Sequence, residues 1–131
     1  MENHSIKPFT MTPSGKSLFF FGMYVISTGL LLIIIPEKFT SLTQLPPIPS
    51  GWARAIGLLA LIIGFYDMFS GLSNIKPFIK ISVYVRLGFA LGTVLLYIFG
   101  QMPISIILLG GVDALGAIWT AIALRSEKSM P

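Results

Sequence analysis

The sequence predicts an all-α integral membrane protein, four transmembrane helices in an up-down-up-down bundle that forms one domain over residues 1–131. Three observations carry that prediction. Hydrophobic residues make up 54% of the chain and charged residues only 11%, against about 25% charged in a soluble domain. Four apolar stretches, residues 17–35, 52–71, 78–99 and 104–124, each approach the ~20 residues needed to cross ~30 Å of hydrocarbon at ~1.5 Å per residue. The segments between them are short and rich in helix-breaking residues.

The first stretch is too long for the apolar core of a cleavable signal peptide and lacks a following small-x-small site, so it is expected to remain as a span. Residues 36–51 carry Pro36, Pro46, Pro47 and Pro49, which block helix continuation and predict an extended, ordered outer lid or collar. The brief connections at 72–77 and 100–103 predict that spans two and three, and spans three and four, pack as antiparallel neighbours. Lys7, Lys16, Lys76, Lys80, Arg125 and Lys128 fall on one side of this arrangement, and only Lys38 and Arg54 on the other. An excess of Lys and Arg marks the cytoplasmic side, so both termini are expected in the cytoplasm and the proline-rich loop outside. Trp52, Tyr97 and Phe99 then sit where an outer aromatic belt would.

Several function classes fall on composition. The chain has no cysteine, which rules out disulfides, thiolate metal sites and a Cys nucleophile. Its one histidine, His4, lies in the polar N-terminal tail, so neither an imidazole metal cage nor a Ser-His-Asp triad has the residues it needs. No metal or cofactor is expected. The net charge of +4 reads as loop charge and lipid-headgroup contact, with no nucleic-acid footprint.

Asp67, Arg86 and Asp113 fall inside the spans, where a charged group costs about 2.5–3.5 kcal/mol on insertion scales. Counting residues from the span ends puts Arg86 and Asp113 at nearly one depth and Asp67 within ~5 Å of it on the cytoplasmic side. One guanidinium bridging two carboxylates is therefore expected, with direct contact between Arg86 and Asp113. Arg86 shares a helical face with Ser82, Phe89, Ala90, Thr93 and Tyr97; Asp113 shares one with Gly110, Gly116, Ala117 and Thr120; Tyr24 and Thr28 lie together on span one. Asp67 adjoins the Ala53, Gly57, Ala60, Gly64, Gly71 face, whose small residues permit close helix approach. Gly22 with Gly29, and Gly88 with Gly92, are expected to mark packing within the bundle, with a dedicated dimer face as the alternative. Arg54 is expected to snorkel to the outer interface, with an inward rotamer toward Asp113 as the alternative. Two readings of the charged set stay open: an ion pair that fixes helix register, and a polar pocket at the midplane that binds a ligand.

Trp52, Ala53, Arg54, Gly57, Gly64, Tyr66, Val85, Arg86 and the run GVDALGAIWTAIAL from Gly111 to Leu124 resemble the BphX-like family of small bacterial membrane proteins, within the broader DoxX-like group. The resemblance covers spans two to four. It implies a four-span bundle in the bacterial inner membrane and no established activity, although relatives occur in gene clusters for aromatic-compound breakdown. Asp67 stands where the family often has an aromatic residue. The expected function is that of a binding or accessory protein holding a quinone, phenolic compound or lipid in a pocket lined by Arg86, Asp113, Tyr97 and Thr120. The alternatives are a small proton-coupled transporter acting as an oligomer and a structural subunit of a larger membrane complex. An enzyme is least expected, because no nucleophile with an adjacent base can be named.

Overall fold

A computed structural model describes residues 11–128; His4 and Lys7, used above, lie outside them. All regular structure among the described residues is helical: α1 (Pro13–Ile34), α2 (Pro36–Leu42), α3 (Ser50–Leu72), α4 (Lys76–Ile98) and α5 (Ile106–Lys128). Helices α1, α3, α4 and α5 are long and apolar enough to cross a membrane. Proline opens rather than breaks several of them. Pro13 follows the N-cap Thr12, whose hydroxyl accepts from the Gly15 amide at 3.1 Å, and Pro77 lies in the first turn of α4. A proline there loses no hydrogen bond, since the first amides of a helix have no partner within it. Pro36 behaves the same way and corrects the expected extended collar: it starts α2, so the segment 36–51 opens as a short helix followed by a turn and a stretch without regular structure. Asn74 (φ 53°) and Gly100 (φ 75°) adopt the left-handed conformation just past the ends of α3 and α4, which lets the chain turn sharply there.

The tightest contact in the fold is between α1 and α3. Gly15, Gly22 and Gly29, spaced one heptad apart, face Gly71, Gly64 and Gly57 in reverse order, so the two helices run in opposite directions with their backbones nearly touching. A Cβ on Gly22 would sit 2.8 Å from the Gly64 carbonyl oxygen, and one on Gly29 2.7 Å from that of Gly57. Such an approach permits Cα–H···O contacts and dense packing, the main attraction available to helices in hydrocarbon. The small-residue face of α3 is thus buried against α1, as its composition predicts.

Other neighbours follow the expected order only in part. Helix α4 packs along α5, as expected for spans three and four, and α1 also packs on α5, but α3 and α4, the other expected pair, meet only slightly. A short connection joins α3 and α4 without making them packing partners, because the glycine face of α3 commits it to α1. Gly88 and Gly92 meet nothing within 4 Å, which corrects their assignment to packing within the bundle. The sides of the long helices are mainly apolar, with Leu58, Phe65, Leu108 and Leu115 all at least 56% exposed, while Ser17, Arg86, Thr93 and Thr120 are buried. That inverted distribution suits a lipid surround.

At the end that holds the α3–α4 turn, Asn74 Oδ1 accepts from the Thr12 amide at 2.8 Å and its hydroxyl at 3.0 Å. Glu127 accepts from the Ser14 amide at 2.6 Å and hydroxyl at 3.0 Å, and forms an ion pair with Lys76. These bonds tie the start of α1 to the α3–α4 turn and to the end of α5. Comparing glycines separates the buried face from the open one. Gly64→Ala is expected to destabilise the fold by about 1–3 kcal/mol through overpacking and lower the melting temperature in detergent. Gly88→Ala, with no neighbour to displace, is expected to leave that temperature unchanged or raise it.

Candidate functional site

The site centres on Arg86, about ten residues or ~15 Å into α4 and hence near the middle of a ~30 Å hydrocarbon core. It is 4% exposed. Its side chain folds back along its own helix, with Nε donating to the Ser82 carbonyl at 3.2 Å and Nη2 to the Ser82 hydroxyl at 3.2 Å. Nη2 also donates to Thr120 Oγ1 on α5 at 2.8 Å. Thr120, fully buried, lies 2.6 Å from the Ser17 hydroxyl of α1 and donates to the Gly116 carbonyl. The Phe21 ring of α1 lies over the guanidinium, 4.7 Å from Cζ to ring centroid, in a favourable cation–π position. One charge is thereby held by residues from α1, α4 and α5.

The expected direct contact between Arg86 and Asp113 is not formed. Lys76 pairs with Glu127 and Thr93 packs on Gly110, a register that sets Arg86 level with Ala117 and leaves Asp113 one turn further along. Side chains on a helix lean toward its N-terminus, and α4 and α5 run in opposite directions. Arg86 therefore leans toward Thr120 while Asp113 leans the other way. Asp67, on α3, is buried as well, at 6% exposed. Arg86 and Asp67 are buried and Asp113 is half-buried, and hydroxyl groups rather than carboxylates hold the guanidinium.

The remaining expected residues divide. Thr120 is central. Tyr24 is half-buried and packs its ring 5.6 Å from that of Phe21. Thr93 is buried, but its hydroxyl donates to the Ala90 carbonyl at 2.7 Å and takes no part in the Arg86 network. Tyr97 is 42% exposed at the far end of α4, which removes it from the pocket. Trp52 and Phe99, the other proposed belt residues, are at least 70% exposed. Arg54 donates from Nε to the Ile33 carbonyl at the end of α1, at 3.0 Å, so the inward alternative that would pair it with Asp113 is corrected: it caps a helix terminus. Ser17 and Phe21 were missed; both lie one or two turns before Tyr24 on the face of α1 that also carries Thr28, so extending that stripe would have found them.

One polar atom stands out. Arg86 Nη1 is buried and has no hydrogen-bond partner among the described residues, and leaving a buried charged donor unpaired costs more than about 1–3 kcal/mol. It lies behind Gly116, where a Cβ would come within 3.2 Å of it. On the outer surface at this point a groove of about 310 Å³ runs between α1 and α5, lined by Phe20, Phe21, Tyr24, Val112, Leu115, Gly116 and Trp119. Phe20 and Trp119 stack across it with centroids 6.4 Å apart and rings 11° from parallel. A second groove of about 360 Å³ lies on α4 around Gly92, Thr93 and Phe99, away from the charged residues. No group of His, Cys, Asp and Glu suited to a metal ion occurs among the described residues.

The fold and this site define a class: a four-helix bundle of membrane-spanning dimensions around a hydroxyl-held arginine. No protein-family model matches the chain, and neither a curated protein nor a solved structure matches it.

The hydrogen-bond pattern fixes an expected coupling. A double-mutant cycle on detergent melting with Arg86→Leu and Thr120→Val should give losses that are far from additive, because each change removes one half of the same buried bond. The cycle of Arg86→Leu with Asp113→Asn should show a weaker coupling. A larger coupling to Asp113 than to Thr120 would mean that the guanidinium pairs with the carboxylate.

Proposed function

We propose that the chain is a binding or accessory protein of the bacterial inner membrane, of the BphX-like kind, that holds a lipophilic small molecule beside Arg86. The observation that carries this reading is the buried Nη1 donor without an acceptor, placed behind an aromatic groove that opens toward the bilayer. An apolar, aromatic-lined concavity with a few convergent polar groups is the usual composition of a small-molecule site. The groove also faces outward between helices, so a lipophile can enter laterally from the membrane. The asymmetry of Lys and Arg supports an up-down-up-down arrangement with both termini cytoplasmic.

A proton-coupled transporter is the second reading, favoured by one observation: Asp67 and Asp113 lie in the field of Arg86 without being bound to it, so each carboxyl group is free to exchange a proton. Carboxylates at midplane depth serve that purpose in pumps. The cost of an unpaired guanidinium donor favours the binding reading. Native mass spectrometry of protein released from mild detergent is expected to show a retained species heavier than the bare chain by a few hundred daltons. Bare protein alone, together with substrate flux into proteoliposomes that follows a pH gradient, would favour the transporter instead.

A further inference from the structure

The ligand reading above leaves the head group open, and three features of the site narrow it. Arg86 Nη1 can only donate, so the atom that meets it must be an acceptor. A charged head group would have to leave water for a groove walled by apolar rings, a transfer that costs several kcal/mol, so an uncharged acceptor is favoured over an anion. The groove wall is built of flat rings, Phe20 stacked with Trp119 and Phe21 against Tyr24, a surface that favours a planar ring system over a flexible acyl chain.

We propose that the groove between α1 and α5 takes an uncharged, planar, lipophilic compound whose ring carbonyl oxygen accepts a hydrogen bond from Arg86 Nη1. The ring lies between the Trp119 side and the Tyr24 side. The oxygen points inward past Gly116, where a Cβ would come within 3.2 Å of Nη1. Phe21 both lines the groove and covers the guanidinium, so its ring swings aside when the carbonyl arrives and serves as the gate. Binding satisfies the orphaned donor without adding charge to the bilayer core.

The test uses Trp119 fluorescence of the full chain in lipid nanodiscs, with Trp52→Phe removing the other tryptophan. Menadione is the probe, a two-ring compound with ring carbonyls; 2-methylnaphthalene has the rings without an acceptor, and 2-naphthoate replaces the carbonyl by a carboxylate. Menadione should quench Trp119 saturably, and the other two should displace it at least tenfold more weakly. Arg86→Leu risks misfolding, so the decisive variant is Gly116→Ala, whose methyl group would stand 3.0 Å from Phe21 Cδ1 and 3.2 Å from Nη1. It should weaken menadione binding at least tenfold while the melting temperature of the ligand-free protein stays within a few degrees. Equal binding of 2-methylnaphthalene or 2-naphthoate, or binding indifferent to Gly116→Ala, would overturn the carbonyl anchor while leaving the groove as a lipophile site. Absence of saturable binding by all three compounds would overturn both.

Discussion

A buried guanidinium midway along a helix long and apolar enough to cross a membrane is the constraint around which this molecule is arranged. Arg86 cannot lose its proton, so the protein must supply partners, and it does so from three helices: Ser82 on α4, Thr120 on α5, and the Phe21 ring on α1. Bonds to a charged donor contribute about 1.5–3 kcal/mol each, comparable with the ~2.5–3.5 kcal/mol insertion cost of the charge. The same bonds determine which faces of α1, α4 and α5 turn inward, so the polar positions of each helix converge on one point. One donor is left over, and the placement of that atom behind an aromatic groove is what turns a structural arginine into a candidate ligand anchor.

The glycine contact between α1 and α3 complements this. By drawing α3 against α1 along most of its length, it makes α1 the shared wall of two helix pairs and leaves α3 and α4 loosely joined despite their short connection. Asp67 is carried by α3, on the other side of that loose junction from Arg86, and is buried. Remote bonds at the membrane edge, Glu127 with Ser14 and Lys76 in particular, lock the longitudinal register that puts Thr120 rather than Asp113 opposite Arg86.

Hydropathy and length made the four long helices legible, since the bilayer imposes a length on each and leaves little freedom. The small-residue face of α3 was legible too, because glycine and alanine at helical spacing have few other uses. Partner choice was less so: Gly22 and Gly29 signalled a heptad, but Gly15, needed to see the match with Gly57, Gly64 and Gly71, sits before the first apolar residue of α1 and was left out. Arg86, Asp67, Asp113 and Thr120 mark the polar positions of three helices in the sequence, yet the partners of the guanidinium do not follow from those positions. Depth counted from span ends places Cα atoms only, whereas the lean of side chains in opposed helices separates Arg86 from Asp113 by a further turn. Tyr97 was misplaced because a helical face wider than one stripe also reaches lipid, and Pro36 because proline at the first turn starts a helix as readily as it stops one.

Solid-state NMR of the ¹³C,¹⁵N-labelled protein in lipid bilayers tests the central claim, that hydroxyl groups and not carboxylates hold Arg86, most directly. The account predicts through-space correlations from the Arg86 guanidinium nitrogens to Thr120 Cβ and to Phe21 ring carbons, with no correlation of ion-pair strength to a carboxyl carbon. A strong correlation to Asp113 Cγ or Asp67 Cγ, with Thr120 absent, would contradict it and return the cluster to a buried ion pair.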